Sequence, residues 1–130
     1  RVDRRQRQMC IRDSPIGENN RVLKGKLFLQ EGNLKAFGKL MFESHNSSRV
    51  FFKNSCKELD FIVDSAKSIN GVVGARLSGG GFGGSTIILC NKSLAETVKQ
   101  EIANHYLMEY KQKLEIYAIQ PSNGASIVTI

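Results

Sequence analysis

An α+β fold, with helices packed on an antiparallel sheet, is the class this 130-residue sequence predicts. Three observations carry that reading. Apolar residues recur at helical spacing through residues 34–45 and again through 55–69. Two short apolar runs, Val72-Val73 and Thr86-Ile87-Ile88-Leu89-Cys90, flank a glycine-rich turn and read as strands. A further helical pattern and a strand-like stretch follow. Helices, then strands, then helix, then strand is the order of a layered α+β domain.

The elements follow in chain order. Residues 16–30 suggest a helix with Val22, Leu23, Leu27 and Leu29 on its apolar side. Gly32-Asn33 breaks it, and Asn33 can cap the next helix. There Leu34, Phe37, Leu40 and Met41 repeat at helical spacing up to about His45. Residues 46–54 alternate polar and aromatic and read as a loop, with Phe51 and Phe52 as core anchors or part of an exposed patch. Ser55-x-x-Glu58 is a capping-box pattern. It opens a helix with Leu59, Ile62, Val63, Ala66 and Ile69 on one face, ended by Asn70-Gly71. After the glycine turn, Ser93-x-x-Glu96 is a second capping box. Its helix turns Leu94, Val98, Ile102 and either His105 or Tyr106 inward. Residues 114–119 read as a last strand, and 125–130 as a short further one. The body shows no internal repeat or low-complexity linker.

The richest local signal is Gly74-Ala75-Arg76-Leu77-Ser78-Gly79-Gly80-Gly81-Phe82-Gly83-Gly84-Ser85. It holds six of the 12 glycines. A hairpin turn needs only one or two. The excess permits positive φ and close approach of another group. Successive unencumbered N–H groups can also form an anion-binding nest, for which phosphate is the natural occupant. A flexible loop, or a close-packing site for another backbone, is the plainer alternative. The segment lacks the Gly-Lys-Ser/Thr ending of a Walker loop. A strand follows it where a dinucleotide fingerprint would open a helix.

Composition bounds the remaining classes. The apolar fraction of 41 % suits one globular domain. No apolar run approaches the ~18 residues of a membrane span, and the first residues lack the hydrophobic core of a secretory signal. Cys10, Cys56 and Cys90 are widely spaced and odd in number, which favours reduced thiols in a cytoplasmic protein over a zinc site or disulfide framework. The net charge is +7, of which residues 1–14 supply +3 through Arg1, Arg4, Arg5, Arg7 and Arg12. That arm has no aromatic residue for stacking bases and no amphipathic period. It reads as a non-native or disordered segment rather than a nucleic-acid arm, and the domain proper is placed at residues 15–130. The body's +4 modestly favours anionic ligands.

Individual polar residues read mostly as structural. Ser44 and His45 invite a nucleophile–base pair, but neighbours on a helix do not face each other, so capping or packing is the better role for His45. His105 reads as a core-facing structural residue. Asp60 and Asp64 stand one turn apart, a metal-sharing spacing that more commonly marks a solvated helix face. Cys56 and Cys90 read as small buried groups. Arg76, at the entry to the glycine loop, is either a phosphate-supporting cation or half of a structural salt bridge.

Five segments in order carry a family resemblance. They are Glu18-Asn19-Asn20-Arg21-Val22, Phe37-Gly38-Lys39-Leu40-Met41 with Glu43-Ser44-His45, Ser55-Cys56-Lys57-Glu58-Leu59-Asp60, the glycine segment, and Pro121-Ser122-Asn123-Gly124-Ala125. Together they resemble the C-terminal half of the GHMP small-molecule kinases, and the galactokinase branch in particular. Lys57 stands where that branch usually has proline, and Ser85 where cysteine is common; neither is a reacting group. The resemblance implies a ferredoxin-like sandwich of antiparallel sheet with helices. It also implies ATP-dependent phosphorylation of galactose to galactose 1-phosphate with Mg2+. Ser78, Gly79, Gly80, Gly81, Gly83 and Gly84 would lie beside the ATP phosphates and hold the phosphate loop of the other half. The sugar segment, the second ATP loop and the catalytic aspartate and arginine of such kinases belong to an N-terminal half that has no match in these 130 residues. The chain is therefore expected to be inactive alone, to partner that half, galactose and ATP, and to bind neither nucleic acid nor membrane. No catalytic residue and no metal ligand is expected in it. Another GHMP kinase, or a non-catalytic sensor of the same type, is the alternative.

Overall fold

The computed structural model describes residues 4–81 and 83–129, with side chains from Ile16 onward. Four helices and a two-stranded antiparallel sheet form an α+β domain, as the sequence predicts. The order is α1 (Arg4–Gln30), α2 (Leu34–Ser47), a π-helical turn (Ser48–Phe52), α3 (Lys57–Lys67), β1 (Val72–Ser78), β2 (Ser85–Cys90), a 3-10 turn (Lys92–Leu94) and α4 (Ala95–Tyr110).

The core lies between the sheet, α3 and α4. Ile62, Val63, Ala66 and Ile69 of the α3 region meet Ala75 of β1 and Val98, Ile102 and Tyr106 of α4. The α3 face is the one its sequence spacing predicts. Phe61, Tyr106 and Tyr110 extend the contact as an aromatic cluster, with ring centroids 4.8 to 6.4 Å apart. Ala75 and Leu77 alternate inward along β1, and Leu77 is 1 % exposed. Burying a leucine that completely stabilises by about 1.5–3 kcal/mol.

On the α2 side, β1 meets the helix backbone to backbone. A Cβ added to Gly38 would collide with the Val73 carbonyl, and one added to Gly74 would stand 2.6 Å from Gly38 Cα. A bulge makes this approach possible: Val72 pairs with Cys90 and Gly74 with Leu89, so Val73 is the extra residue on β1. The two glycines are therefore required by contact, not by conformation.

Several local expectations are corrected. Residues 46–54 are not simply a loop, because the helix runs on through the π-helical turn before Lys53 reverses the chain at φ 51°. Neither capping box forms. Cys56 is the N-cap of α3 without a side-chain bond, and Ser55 Oγ turns instead to Asp60. Ser93 is absorbed in the 3-10 turn that leads into α4. Tyr106, not His105, faces the core; His105 is exposed. Residues 114–119 form no strand, although Leu114 and Ile116 still pack against the core. They have the alternation of a strand without a ladder partner. Residues 125–129 are likewise irregular. Cys56 and Cys90 are only partly buried; Cys10 lies outside the described side chains. Asn33 does cap α2, its Oδ1 accepting from the Ala36 N–H at 3.2 Å.

The apolar side predicted for α1 is exposed: Val22, Leu23, Leu27 and Leu29 all face outward. The helix meets α2 along Glu18, Arg21 and Gly25 instead. Glu18 accepts from Arg21 at 2.6 Å and from Ser44 Oγ at 3.0 Å, and Gly25 lets Phe37 approach. One polar bond across the helices, from Ser44 to Glu18, and one glycine set that contact, which a count of apolar residues does not reveal.

Replacing Gly38 or Gly74 by alanine should destabilise the chain by about 2–3 kcal/mol, since a well-packed contact has no room for an extra methyl. Gly80→Ala, in open space, should stay within about 0.5 kcal/mol of the parent. Urea unfolding midpoints check both.

Candidate functional site

The glycine loop springs from the end of β1 and returns into β2, with Ser78 paired to Ser85. Gly79, Gly81 and Gly83 take φ values of 77°, 85° and 91°, which other residues adopt only with strain. A turn closes inside the loop, from the Gly84 N–H to the Gly81 carbonyl at 3.2 Å. Nothing lies within 4 Å of a Cβ built on Gly79, Gly80 or Gly83. At Gly79, Gly80 and Gly83 the backbone is open to close approach among the described residues.

One point of the loop is held. Gly81 abuts the Asn54 backbone carbonyl so closely that no side chain fits. The Asn54 amide Nδ2 donates to the Gly80 carbonyl at 3.2 Å. The Asn54 Oδ1 atom is buried and has no hydrogen-bond partner among the described residues. Sequence reasoning missed Asn54, because nothing in Lys53-Asn54-Ser55 marks a contact 26 residues away.

Beneath the loop runs a connected polar network. His45 is 2 % exposed. Its Nδ1 accepts the Leu77 backbone N–H at 3.1 Å. An Nδ1 that accepts leaves the ring proton on Nε2, which donates to Asp60 Oδ1 at 2.8 Å. The same oxygen accepts from Ser55 Oγ at 2.6 Å and stands 3.2 Å from Arg49 Nε. Arg49 also donates to Asp64 at 3.0 Å. His45 is thus a structural histidine, as expected, with a partner the sequence did not reveal. Asp60 and Asp64 share an arginine.

The network shifts its own protonation. Burial disfavours a charged His45, and the nearby Arg49 adds to that; Asp60 pulls the other way, and the net pKa lies below the usual 6.5. Burial opposes charge on Asp60 as well. Hydrogen bonds from Ser55 and His45 and the Arg49 cation outweigh it, leaving the carboxyl below its usual 3.8.

The remaining candidates lie apart. Arg76 alternates with Ala75 and Leu77, so it points away from the core face, opposite Ile87. It forms no ion pair among the described residues, and its Nε is buried without a hydrogen-bond partner. The structural salt bridge weighed for it is absent there. No group of three His, Cys, Asp or Glu gathers to hold a metal among the described residues. None of the described helices is long and apolar enough to cross a membrane. Two shallow concavities border α2, near Lys39 and Phe42, and neither reaches the loop.

Residues 26–107 match the family model described as GHMP kinases C terminal. A galactokinase of Thermotoga neapolitana is 44 % identical over 109 residues, covering 84 % of this chain and 31 % of its own. A galactokinase of Thermococcus kodakarensis is 38 % identical over 113 residues, covering 87 % of this chain and 32 % of its own. The chain thus spans about a third of the length of the curated relatives it matches. Among solved structures, a Lactococcus lactis galactokinase complexed with galactose superposes with a TM-score of 0.70 at 31 % identity, over 74 % of this chain and 25 % of that one. An L. major mevalonate kinase in complex with R-mevalonate gives 0.66 at 25 % identity, over 75 % and 30 %.

Acid should destabilise the fold in two steps. His45 binds its proton less tightly folded than unfolded, so its contribution is complete above pH 6.5 and lost as pH falls below that value toward the folded pKa. The Asp60 contribution is complete above pH 3.8 and lost as pH falls through its own lower value. Asp60→Asn should cost about 1–3 kcal/mol by removing the charged acceptor that Ser55 and His45 share. Urea unfolding across the acid range checks the sign, and a midpoint that rises on acidification contradicts it.

Proposed function

The chain belongs to the GHMP kinase family, of which it carries the C-terminal domain, and on that premise we propose that it is the C-terminal part of a galactokinase. The reaction is transfer of the ATP γ-phosphoryl group to galactose, giving galactose 1-phosphate. The kinase is cytoplasmic, and the family domain occupies residues 15–130. Relatives named galactokinase at 38 % and 44 % identity support the substrate class. The single observation that carries a role in the chemistry is the open backbone of the loop at Gly79, Gly80 and Gly83.

Such a loop suits phosphate. Gly79, Gly80 and Gly83 are the open positions of the loop, and with Ser78, Gly81 and Gly84 they make up the backbone assigned to the phosphates. Phosphoryl transfer needs positioning and charge stabilisation more than covalent help from protein groups. ATP, when bound, supplies the transferred group. These residues hold the nucleotide's phosphate end and support the phosphate loop of the N-terminal half. Magnesium is a different matter. No three metal-ligating side chains gather among the described residues, so the ligands of Mg2+ are assigned to the other half. Galactose contacts and the catalytic base are assigned there too.

Purified alone, the chain should form no galactose 1-phosphate from ATP and galactose above blank. Product from the isolated chain contradicts the division of labour. In a complete kinase carrying this domain, Gly80→Val should lower kcat/KM for ATP roughly tenfold or more, equivalent to about 1.4 kcal/mol of lost transition-state stabilisation. The unfolding midpoint should stay unchanged, because a Cβ at Gly80 meets nothing within 4 Å among the described residues. Full activity in that variant removes the loop from the phosphate site.

A further inference from the structure

The Leu77 N–H sits on the edge of β1 that β2 does not pair, and α2 covers that edge. Leu77 is 1 % exposed, so water cannot serve it. A buried N–H without an acceptor costs about 1–3 kcal/mol. His45 Nδ1 is the acceptor, 3.1 Å away. Leu77 is the last residue before Ser78, where the glycine loop begins.

An imidazole can accept at Nδ1 only when that atom carries no proton. Asp60 Oδ1, 2.8 Å from Nε2, draws the ring proton to the far side. Asp60 is itself anchored by Ser55 and Arg49. Ser55 adjoins Asn54, which grips Gly80 and Gly81 at the crown of the loop. One short connection between α2 and α3 therefore controls the loop at its entry and at its crown.

We propose that His45 is a positioning residue for the glycine loop: held by Asp60 with Nδ1 unprotonated, it fixes the Leu77 N–H and so the backbone from which residues 78–84 depart. The consequence for phosphoryl transfer rests on the reading of the loop given above; the positioning itself does not. The charged groups facing the ring are Asp60 and Asp64 from α3 and Arg49 from the π-helical turn, while β1 contributes the Leu77 N–H. A proton on Nδ1 would set two donors against each other. Leu77 would lose its acceptor and the loop its anchor.

The test uses the 130-residue chain, nuclear magnetic resonance and no nucleotide, so it fails or succeeds independently of the kinase assignment. His45→Asn keeps an acceptor where Nδ1 stood. His45→Gln keeps a donor toward Asp60 and loses that acceptor. Amide exchange at Leu77 should quicken about tenfold or more in H45Q, the equivalent of ~1.4 kcal/mol, and stay within about threefold of the parent in H45N. Equal acceleration in both variants would show a packing role only and overturn the proposal. Should H45Q fail to fold, the parent chain suffices. In it, the His45 nitrogen shifts should report an unprotonated Nδ1 at neutral pH. On acidification below pH 6.5, the amide signals of Leu77 and residues 78–84 should follow the ring's titration while the methyls of Val63 and Ala66 stay native. A ring protonated on Nδ1 at neutral pH, or loop amides indifferent to its titration, overturns it.

Discussion

Everything near the loop depends on how α2 lies against the free edge of β1. Two glycines let the backbones touch, and one histidine satisfies the strand behind them. The contact is tolerant of nothing larger than hydrogen at Gly38 and Gly74. An edge strand normally exposes donors and acceptors that must be covered or paired. Here a helix covers the edge, and an imidazole stands in for the carbonyl a neighbouring strand would have offered.

That arrangement couples the core to the loop. α3 supplies both the apolar face that packs on the sheet and the Asp60 carboxylate that orients His45. The loop therefore rises from a hydrogen-bonded base while Gly79, Gly80 and Gly83 stay open among the described residues. A held base with open positions is what phosphate recognition by backbone needs, since the N–H groups must already point correctly when the anion arrives. The exposed leucines of α1 and the exposed Phe51 and Phe52 of the π-helical turn show where apolar surface is left uncovered by the domain's own elements.

Much of this was legible in the residues. The α3 face, the Asn33 cap and the strand–glycine–strand unit rest on short-range rules, and all appear where those rules put them. Of the apolar face predicted for α2 only Met41 is buried, while Leu34 is exposed and the inward positions go to Gly38, Ser44 and His45. The failures share one cause. Ser55 and Ser93 have the spacing of capping boxes, yet Ser55 finds a stronger charged acceptor in Asp60 and Ser93 is taken up in a 3-10 turn. Residues 114–119 alternate like a strand, but alternation does not supply a hydrogen-bonding neighbour. Tyr106 and His105 differ by one helical position, and the aromatic cluster with Phe61 and Tyr110 decides between them.

The candidate site divides the same way. Local sequence alone determined the α3 face, the two strands and the concentration of glycine between them, because periodicity and backbone freedom are properties of neighbouring residues. The ordered motifs also determined the family. Only the tertiary structure decided which glycines serve contact and which serve access: Gly38, Gly74 and Gly81 are crowded by distant backbone, whereas Gly79, Gly80 and Gly83 face open space. It alone decided that His45 joins Asp60 to Leu77, across separations of 15 and 32 residues. Hydrogen bonds at such range follow from how elements dock, and docking is set by the whole packed interior rather than by any local run of residues.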